Sequence, residues 1–270
     1  MSTHRYVELQ TTSHFSFLRG ASSADELFAQ AAVQGIEALA IVDRNSLAGI
    51  VRAHEASKAT GVRLIVGCRL DLSDGMSLLV YPSDRSAYSR LCRLLSLGKR
   101  RAGKGKCGLG WADVVAYGEG LIVVLVPDTA DDDCRLHLRQ LHDAFADRAY
   151  MALTLRRRPN DQLRLHALSN AAAAAKVRTV VTNDVLFHAP DRRILQDVVT
   201  CIRHNVTIDA LGDRRERHAD RFLKPPEEMH RLFTRYSDAL ARTLEIADRC
   251  RFSLDELAYQ YPEEKTMPGL

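Results

Sequence analysis

The sequence predicts an α/β fold: a barrel of about seven parallel strands with helices outside, followed by a short helical extension. Short apolar runs rich in β-branched residues alternate with helical patterns up to about residue 190, and only helical patterns follow. No Gly-x-Gly-x-x-Gly turn follows a predicted strand, which favours a barrel over a doubly wound sheet. A chain of 270 residues, 46% of them hydrophobic, is long enough for one barrel-sized domain.

Strands and helices alternate in a regular order along the chain. The predicted strands are 7–11, 38–42, 63–66, 77–81, 121–126, 151–155 and 179–182. Ser23 and Glu26 have the spacing of a capping box, which predicts a helix that runs to Gly35. The other predicted helices are 47–60 before Gly61, 84–101, 133–147, 161–175, 192–203, one opened by Pro225 and Pro226, and 237–249.

The change of pattern predicts three parts. Residues 1–205 form the barrel domain, residues 206–258 form the helical extension, and residues 259–270 form a linker at a truncated end. We therefore expect the chain to be a segment of a longer protein.

Composition and charge exclude several functional classes. The net charge of +4 is too small to indicate a nucleic-acid surface by itself. The six cysteines are widely spaced without a Cys-x-x-Cys pair, which favours reduced thiols over a zinc ribbon or a disulfide framework. The amino terminus lacks an apolar signal core, and no apolar run approaches about 18 residues. We expect a cytoplasmic protein with no membrane partner.

The segment at the end of the first predicted strand resembles a known motif. Gln10, Thr12 and Ser16 occupy the positions of His-x-His-x-x-x-Ser, the opening motif of the PHP (polymerase and histidinol phosphatase) family. That family consists of metal-dependent phosphoesterases and related domains, so the resemblance implies a distorted (β/α)7 PHP barrel. Neither Gln10 nor Thr12 supplies an imidazole, so neither is a good ligand for zinc, manganese or iron.

Three later segments resemble further PHP motifs. Asp43 and Arg44 stand where the family has Asp-His, Arg69 stands at a glutamate position, and Asp184 and Leu186 stand in a motif that reads Asn-Asp-Val-His. Only the two aspartates keep metal-ligand chemistry. The remnant PHP site implied by the resemblance consists of Gln10, Thr12, Asp43, Arg44, Arg69, Asp184 and Leu186.

Four longer segments are similar to one branch of the family. Residues 15–22, 195–203, 223–229 and 250–257 resemble the amino-terminal region of bacterial error-prone C-family DNA polymerases, paralogues of the replicative polymerase III alpha subunit. The resemblance implies that palm, fingers and thumb domains follow the helical extension and are its partners. It also implies that the longer protein contacts DNA and that Mg²⁺ is bound by the palm, with no cofactor in this segment.

The substitutions at the remnant site favour a scaffold over a hydrolase. We expect Arg44 and Arg69 to bridge Asp43 and Asp184 by paired hydrogen bonds in place of a metal. The alternative is weak metal binding by Asp43 and Asp184, with His14 and His188 as off-register candidate ligands. The rival function is therefore a metal-dependent phosphoesterase or a proofreading 3′–5′ exonuclease with a rebuilt site.

A basic, glycine-rich stretch offers a candidate DNA-backbone contact. Its cations are Lys99, Arg100, Arg101, Lys104 and Lys106. No Gly-Lys-Ser/Thr follows at Walker spacing, so the stretch is not a phosphate loop. Contact with a DNA backbone by counter-ion release and a solvated, flexible connection both remain open.

Overall fold

The computed structural model describes residues 4–215 and 219–257. Strands and helices alternate in this part of the chain. The strands are β1 (Glu8–Thr11), β2 (Ala38–Ile41), β3 (Arg63–Val66), β4 (Cys68–Asp71), β5 (Ser77–Pro82), β6 (Leu121–Leu125), β7 (Ala149–Leu153) and β8 (Arg178–Val181). The α-helices are α1 (Ala24–Val33), α2 (Ile50–Thr60), α3 (Arg85–Arg101), α4 (Trp111–Tyr117), α5 (Asp132–Phe145), α6 (Asp161–Ala174), α7 (Arg193–His204), α8 (Pro226–Leu232) and α9 (Ser237–Arg249).

The strands form two sheets. The first has the order β1-β2-β3 and is parallel. The second has the order β4-β5-β6-β7-β8, in which β6, β7 and β8 run parallel and β5 is antiparallel to both of its neighbours. Single bridges between Thr11 and Val185 and between Arg44 and Arg69 connect the sheets. The mixed α/β class is confirmed, and the carboxyl ends of β1, β2 and β8 meet beside these bridges.

The prediction that all strands are parallel is wrong at β4 and β5. The connection 72–76 is too short to cross over the sheet, so β4 and β5 form an antiparallel hairpin. Neither β4 nor α4 was predicted from the sequence. The predicted strand 151–155 lies two residues later than β7, because the turn Ala146–Arg148 ends directly before β7.

Helix ends follow the signals in the sequence. The Glu26 backbone N–H donates to Ser23 Oγ over 3.2 Å, and the Ser23 N–H donates to the Glu26 carboxylate over 2.9 Å, so the predicted capping box is confirmed. Gly61 ends α2 with φ of +75°. Among the described helices, none has the length and apolar character that a membrane span requires.

The core joins both sheets. All residues of β1, β2, β6 and β7 are buried, as expected for strands covered on both faces. One cluster of buried side chains combines Leu9 and Ala40 of the first sheet with Tyr81 and Val124 of the second. The two sheets therefore enclose a common interior.

Helix α9 packs across the amino-terminal ends of the strands. Thr243 Oγ1 accepts from the Val7 N–H, and Arg242 donates to the Thr179 carbonyl over 3.0 Å. Arg63 donates to the Ala247 carbonyl over 2.8 Å. Part of the predicted helical extension therefore contributes to the core, whereas the boundary at residue 205 stays a prediction. Residues 258–270, including the predicted linker, lie outside the described residues.

The interior holds a carboxyl group that the sequence analysis did not single out. Glu8 is fully buried in β1 and accepts from the Tyr6 hydroxyl and the Gln10 N–H, each over 2.7 Å. Burial raises the pKa of Glu8 to about 7, because these hydrogen bonds and the nearby Lys224 only partly oppose the loss of water. The uncharged form of Glu8 therefore persists to a higher pH than in a glutamate exposed to water.

We expect Glu8→Gln to weaken the pH dependence of stability. Because the folded pKa of about 7 exceeds the ordinary 4.5, stabilisation by protonated Glu8 is fully present below pH 4.5 and is lost as the pH rises through about 7. Between about pH 5 and pH 8, the free energy of unfolding of the wild type should fall relative to that of the variant by on the order of 1–3 kcal/mol. Urea unfolding measures this, with the exposed Glu55→Gln as control. Parallel pH profiles of the wild type and Glu8→Gln would contradict it.

Candidate functional site

A polar cavity of about 180 Å³ lies where the carboxyl ends of β1, β2 and β8 converge. Four predicted site residues line it: Thr12, Arg44, Asp184 and Leu186. Gln10 contacts Asp184 through its side chain. The other lining residues are Arg19, Gln196, Thr200, Arg203, Arg214 and Arg221. The fold thus brings the ends of three predicted motifs to one cavity.

Asp184 is the buried carboxylate of this cavity. Arg221 Nη2 lies 2.5 Å from Asp184 Oδ2, and Gln10 Nε2 donates to Oδ1 over 2.9 Å. Arg69 and Arg156 approach the same carboxylate to 3.9 Å. Burial alone would raise the pKa of Asp184, but Arg221, Arg156 and Arg69 outweigh it and hold that pKa well below its usual range. Asp184 is therefore an anion that three guanidinium groups surround.

The predicted pairing of Arg44 and Arg69 is partly wrong. Arg44 forms an ion pair with Asp71, and Arg69 Nε donates to Asp71 Oδ1 over 2.9 Å. Arg69 reaches Asp184 only at 3.9 Å. Asp71 follows Arg69 by two residues on β4, so both side chains lie on one face of the strand and Asp71 is the nearer anion.

Asp43 is held by neutral donors and not by the predicted arginines. Its Oδ1 accepts from the Ser13 N–H over 2.9 Å and from Ser16 Oγ over 2.7 Å, and its Oδ2 accepts from Ser13 Oγ over 2.7 Å. Burial raises the pKa of Asp43, which the serine hydrogen bonds oppose only in part. A Cβ at Gly49 would lie 2.8 Å from Oδ2, so the carboxylate is tightly enclosed. Asp43 therefore anchors the loop that follows β1.

The two candidate histidines meet at Ser22, beside the cavity. His188 Nδ1 lies 2.8 Å from Ser22 Oγ, and His14 Nδ1 lies 3.3 Å from the Ser22 carbonyl oxygen. The His14 ring stacks on Phe15 with 4.7 Å between centroids. Both rings thus have local partners, and neither is among the residues that line the cavity.

A model of the PHP domain matches residues 8–157 of the chain. This match covers more than half of the sequence, including β1 to β7. The chain belongs to the PHP domain family.

Curated relatives of this PHP chain are longer proteins. It is 73% identical over 270 residues to "Error-prone DNA polymerase 1" of Agrobacterium fabrum, covering 100% of this chain and 25% of that protein. It is 67% identical over 266 residues to "Error-prone DNA polymerase 2" of Rhizobium meliloti, covering 98% of this chain and 24% of that protein. The chain thus spans about a quarter of the length of these relatives.

A solved structure shares the fold at low identity. An amidohydrolase from Chromobacterium violaceum superposes with a TM-score of 0.52 and 16% identity, covering 67% of this chain and 87% of the other. This likeness extends to the fold alone.

The site residues do not fit the polynuclear metal centre of a PHP hydrolase. The carboxylate oxygens of Asp184 are paired with Arg221 and accept a hydrogen bond from Gln10. Those of Asp43 accept hydrogen bonds from Ser13 and Ser16. Within residues 4–215 and 219–257, no group of three or more His, Cys, Asp or Glu side chains is arranged to hold a metal ion. The guanidinium of Arg44 adds positive charge where a cation would bind.

The candidate DNA-contact residues of the PHP chain lie away from the cavity. Lys99, Arg100 and Arg101 form the last turn of α3, and Lys104 and Lys106 follow in the next loop. All five side chains are exposed, and Arg101 pairs with Asp113 over 2.7 Å. Their contact with DNA stays a prediction.

Asp71 and Arg221, which form the shortest ion pairs at the site, were not predicted from the sequence. The contact of Asp71 with Arg69 could have been predicted from the sequence. The two residues are two positions apart in a segment of alternating polarity, which places both side chains on one face of a strand. The contact of Arg221 with Asp184 could not have been predicted in this way. Arg221 belongs to an irregular segment before α8 and approaches Asp184 only in the tertiary fold.

We expect Asp184→Asn to destabilise the chain by about 1–3 kcal/mol at neutral pH, because it leaves three half-buried guanidinium groups without their carboxylate. Asparagine tolerates the positive φ of 51° at this position, so backbone strain does not contribute to the change. Denaturant unfolding measures the effect, with Asp209→Asn at an exposed position as the matched control. Equal stability of the two variants would show that the arginines do not depend on Asp184.

Proposed function

We propose that the chain is the amino-terminal PHP region of a bacterial error-prone DNA polymerase and serves there as a structural scaffold. The 73% identity over the whole chain to a protein of that name supports the parent function. In this proposal the longer, cytoplasmic protein extends primers across damaged DNA, with Mg²⁺ bound by its palm. This segment binds no metal cofactor of its own.

The arginine–aspartate cluster carries the scaffold proposal. Asp184, Arg221, Arg69 and Arg156 satisfy charges inside the protein where a hydrolase would hold cations. A phosphoesterase or 3′–5′ exonuclease, the rival function, needs several imidazoles and carboxylates that converge on the reacting phosphate. In the described part of the cavity wall, Asp184 is accompanied by five arginines, which favours the scaffold.

We further propose that the two sheets form one interrupted barrel. Their shared core and the bridges Thr11–Val185 and Arg44–Arg69 support this arrangement. Because bridges of this kind join strand ends at the cavity, ion pairs there would also hold the two sheets in register.

An exposed apolar stripe offers the docking surface that a scaffold needs. Ile194, Val198 and Ile202 recur every four residues on α7 and are 72%, 41% and 60% exposed. Phe17 is 82% exposed and precedes Leu18, whose carbonyl oxygen accepts a hydrogen bond from Arg203 of α7. This hydrogen bond holds the loop of Phe17 beside α7. We assign this stripe to contact with the remaining polymerase domains, since about three quarters of the relatives' length lies outside this chain.

We expect the chain, purified without chelators, to carry well under one metal ion per molecule, because imidazole donors are missing at the remnant site. It should neither extend a primer nor degrade a 3′ end with Mn²⁺. Elemental analysis and the two assays test this, with an active PHP phosphoesterase as positive control. Stoichiometric metal, or turnover that both Asp43→Ala and Asp184→Ala abolish, would refute the scaffold proposal.

We expect the double variant Ile194→Ser/Ile202→Ser to keep the stability of the isolated chain within about 0.5 kcal/mol, because both side chains are exposed. Its affinity for the remaining polymerase domains, supplied as a separate polypeptide, should fall by about tenfold or more. The matched control is Val33→Ser/Leu136→Ser, which removes exposed apolar side chains from α1 and α5. Equal binding by both double variants would contradict the assignment.

A further inference from the structure

Positive charge is concentrated in one segment of the chain. Residues 85–112, which include α3 and the loop after it, contain eight lysine and arginine residues and no aspartate or glutamate. Since the whole chain has a net charge of +4, these eight positive charges leave −4 on all other residues together. The modest net charge of the chain therefore conceals a strongly basic segment.

Helix α3 presents this charge on one side. Leu91 and Leu94 are buried in the core, whereas Arg85, Arg93 and Arg100 are exposed. These arginines are eight and seven positions apart, so with about 3.6 residues per turn they lie within about a quarter of the helix circumference. At a rise of about 1.5 Å per residue, they are separated by about 12 Å and about 10 Å along the helix axis. The exposed side of α3 is therefore a row of guanidinium groups.

Most cations of the segment have no carboxylate partner in the described chain. Arg90 pairs with Glu119 over 3.5 Å and Arg101 with Asp113 over 2.7 Å. Asp84, the acid directly before the segment, caps the amino terminus of α3 through its side chain. The other six cations are exposed, and their side chains form no hydrogen bond or ion pair with a described residue: Arg85, Arg93, Lys99, Arg100, Lys104 and Lys106.

The composition of this face differs from that of a protein-docking surface. Ser86, Ser89 and Ser96 lie between the arginines and are exposed. In the described segment 85–106, no large apolar side chain is exposed. Protein–protein interfaces have apolar or aromatic cores and are depleted in lysine, whereas arginine, lysine and serine side chains commonly contact nucleic-acid phosphates. The face therefore favours a nucleic acid over an acidic protein as its partner.

We propose that the exposed side of α3 and the loop after it bind the phosphodiester backbone of a nucleic acid without reading its sequence. The 17 residues of α3 extend over about 25 Å, along which one strand of B-DNA presents about seven phosphates. The six cations can therefore contact separate phosphates. Compared with the cations predicted from the sequence, this face adds Arg85 and Arg93, while Arg101 is paired with Asp113. The inference does not depend on the scaffold proposal, which concerns the strand-end cavity.

Fluorescence anisotropy of the 270-residue chain with labelled DNA of about 20 nucleotides and mixed sequence tests the inference. We expect a Kd of about 1–100 µM in about 50 mM sodium chloride. The logarithm of the binding constant should fall linearly with the logarithm of the salt concentration, with a slope of about −2 to −5, because roughly three to six phosphates are neutralised. Absence of binding by the chain, folded by circular dichroism, or a slope near zero would overturn the inference.

The contribution of the helix is tested by Arg93→Gln/Arg100→Gln. We expect Kd to rise by about tenfold and the salt slope to become shallower by about 2, because each arginine contacts one phosphate. Both side chains are exposed and support no described contact, so the fold stays intact. The matched control Arg139→Gln/Arg235→Gln removes the same charge at exposed positions elsewhere and should leave Kd and slope unchanged. Equal changes in the two double variants would overturn the inference in favour of nonspecific attraction.

Two competition measurements define the ligand. Binding of single-stranded DNA, of duplex DNA or of both that Arg93→Gln/Arg100→Gln weakens supports the inference, and the form that binds more tightly is the one that the face fits. Displacement of the DNA by polyglutamate at an equal concentration of charge would overturn the inference in favour of an acidic protein partner. Failure of the chain to bind DNA leaves the scaffold proposal intact, whereas stoichiometric metal in the same preparation refutes that proposal and not this inference.

Discussion

Charge balance at the carboxyl ends of the strands is the constraint on which the site depends. Asp184 is buried where β8 ends, and burial alone would disfavour its charge. Arg221, Arg69 and Arg156 reverse that preference, and each comes from a different segment of the chain. Because Arg69 also pairs with Asp71, and Asp71 with Arg44, the network connects the two sheets through side chains. A change at one member therefore leaves a neighbouring charge unpaired.

Local signals in the sequence predicted most of the fold. Apolar runs located seven of the strands, and Ser23 and Gly61 marked helix ends by hydrogen-bond and backbone requirements that act within a few residues. The hairpin of β4 and β5 was not predicted, because β4 begins only two residues after the end of β3. From the sequence alone, β4 cannot be distinguished from a continuation of β3. The packing of α9 could not be predicted from local patterns either, because its partners Val7 and Thr179 lie far from it in the sequence.

The chemistry of the site was easier to predict than its pairing. The substitutions at Arg44 and Arg69 predicted ion pairs at the strand ends, and both arginines do pair with carboxylates there. The expected partner Asp43 was wrong, because serine donors close in sequence to the end of β1 satisfy it first. Arg221 enters the site from an irregular segment whose position only the assembled fold determines, so no local pattern could reveal it.

Replacing imidazole and carboxylate by guanidinium reverses the electrostatic preference of the cavity while the strand ends remain in place. A metal centre concentrates anionic and neutral ligands around cations, whereas this wall concentrates guanidinium groups around Asp184. The first arrangement needs bound cations to balance its ligands, whereas the second balances Asp184 with guanidinium groups of the chain itself.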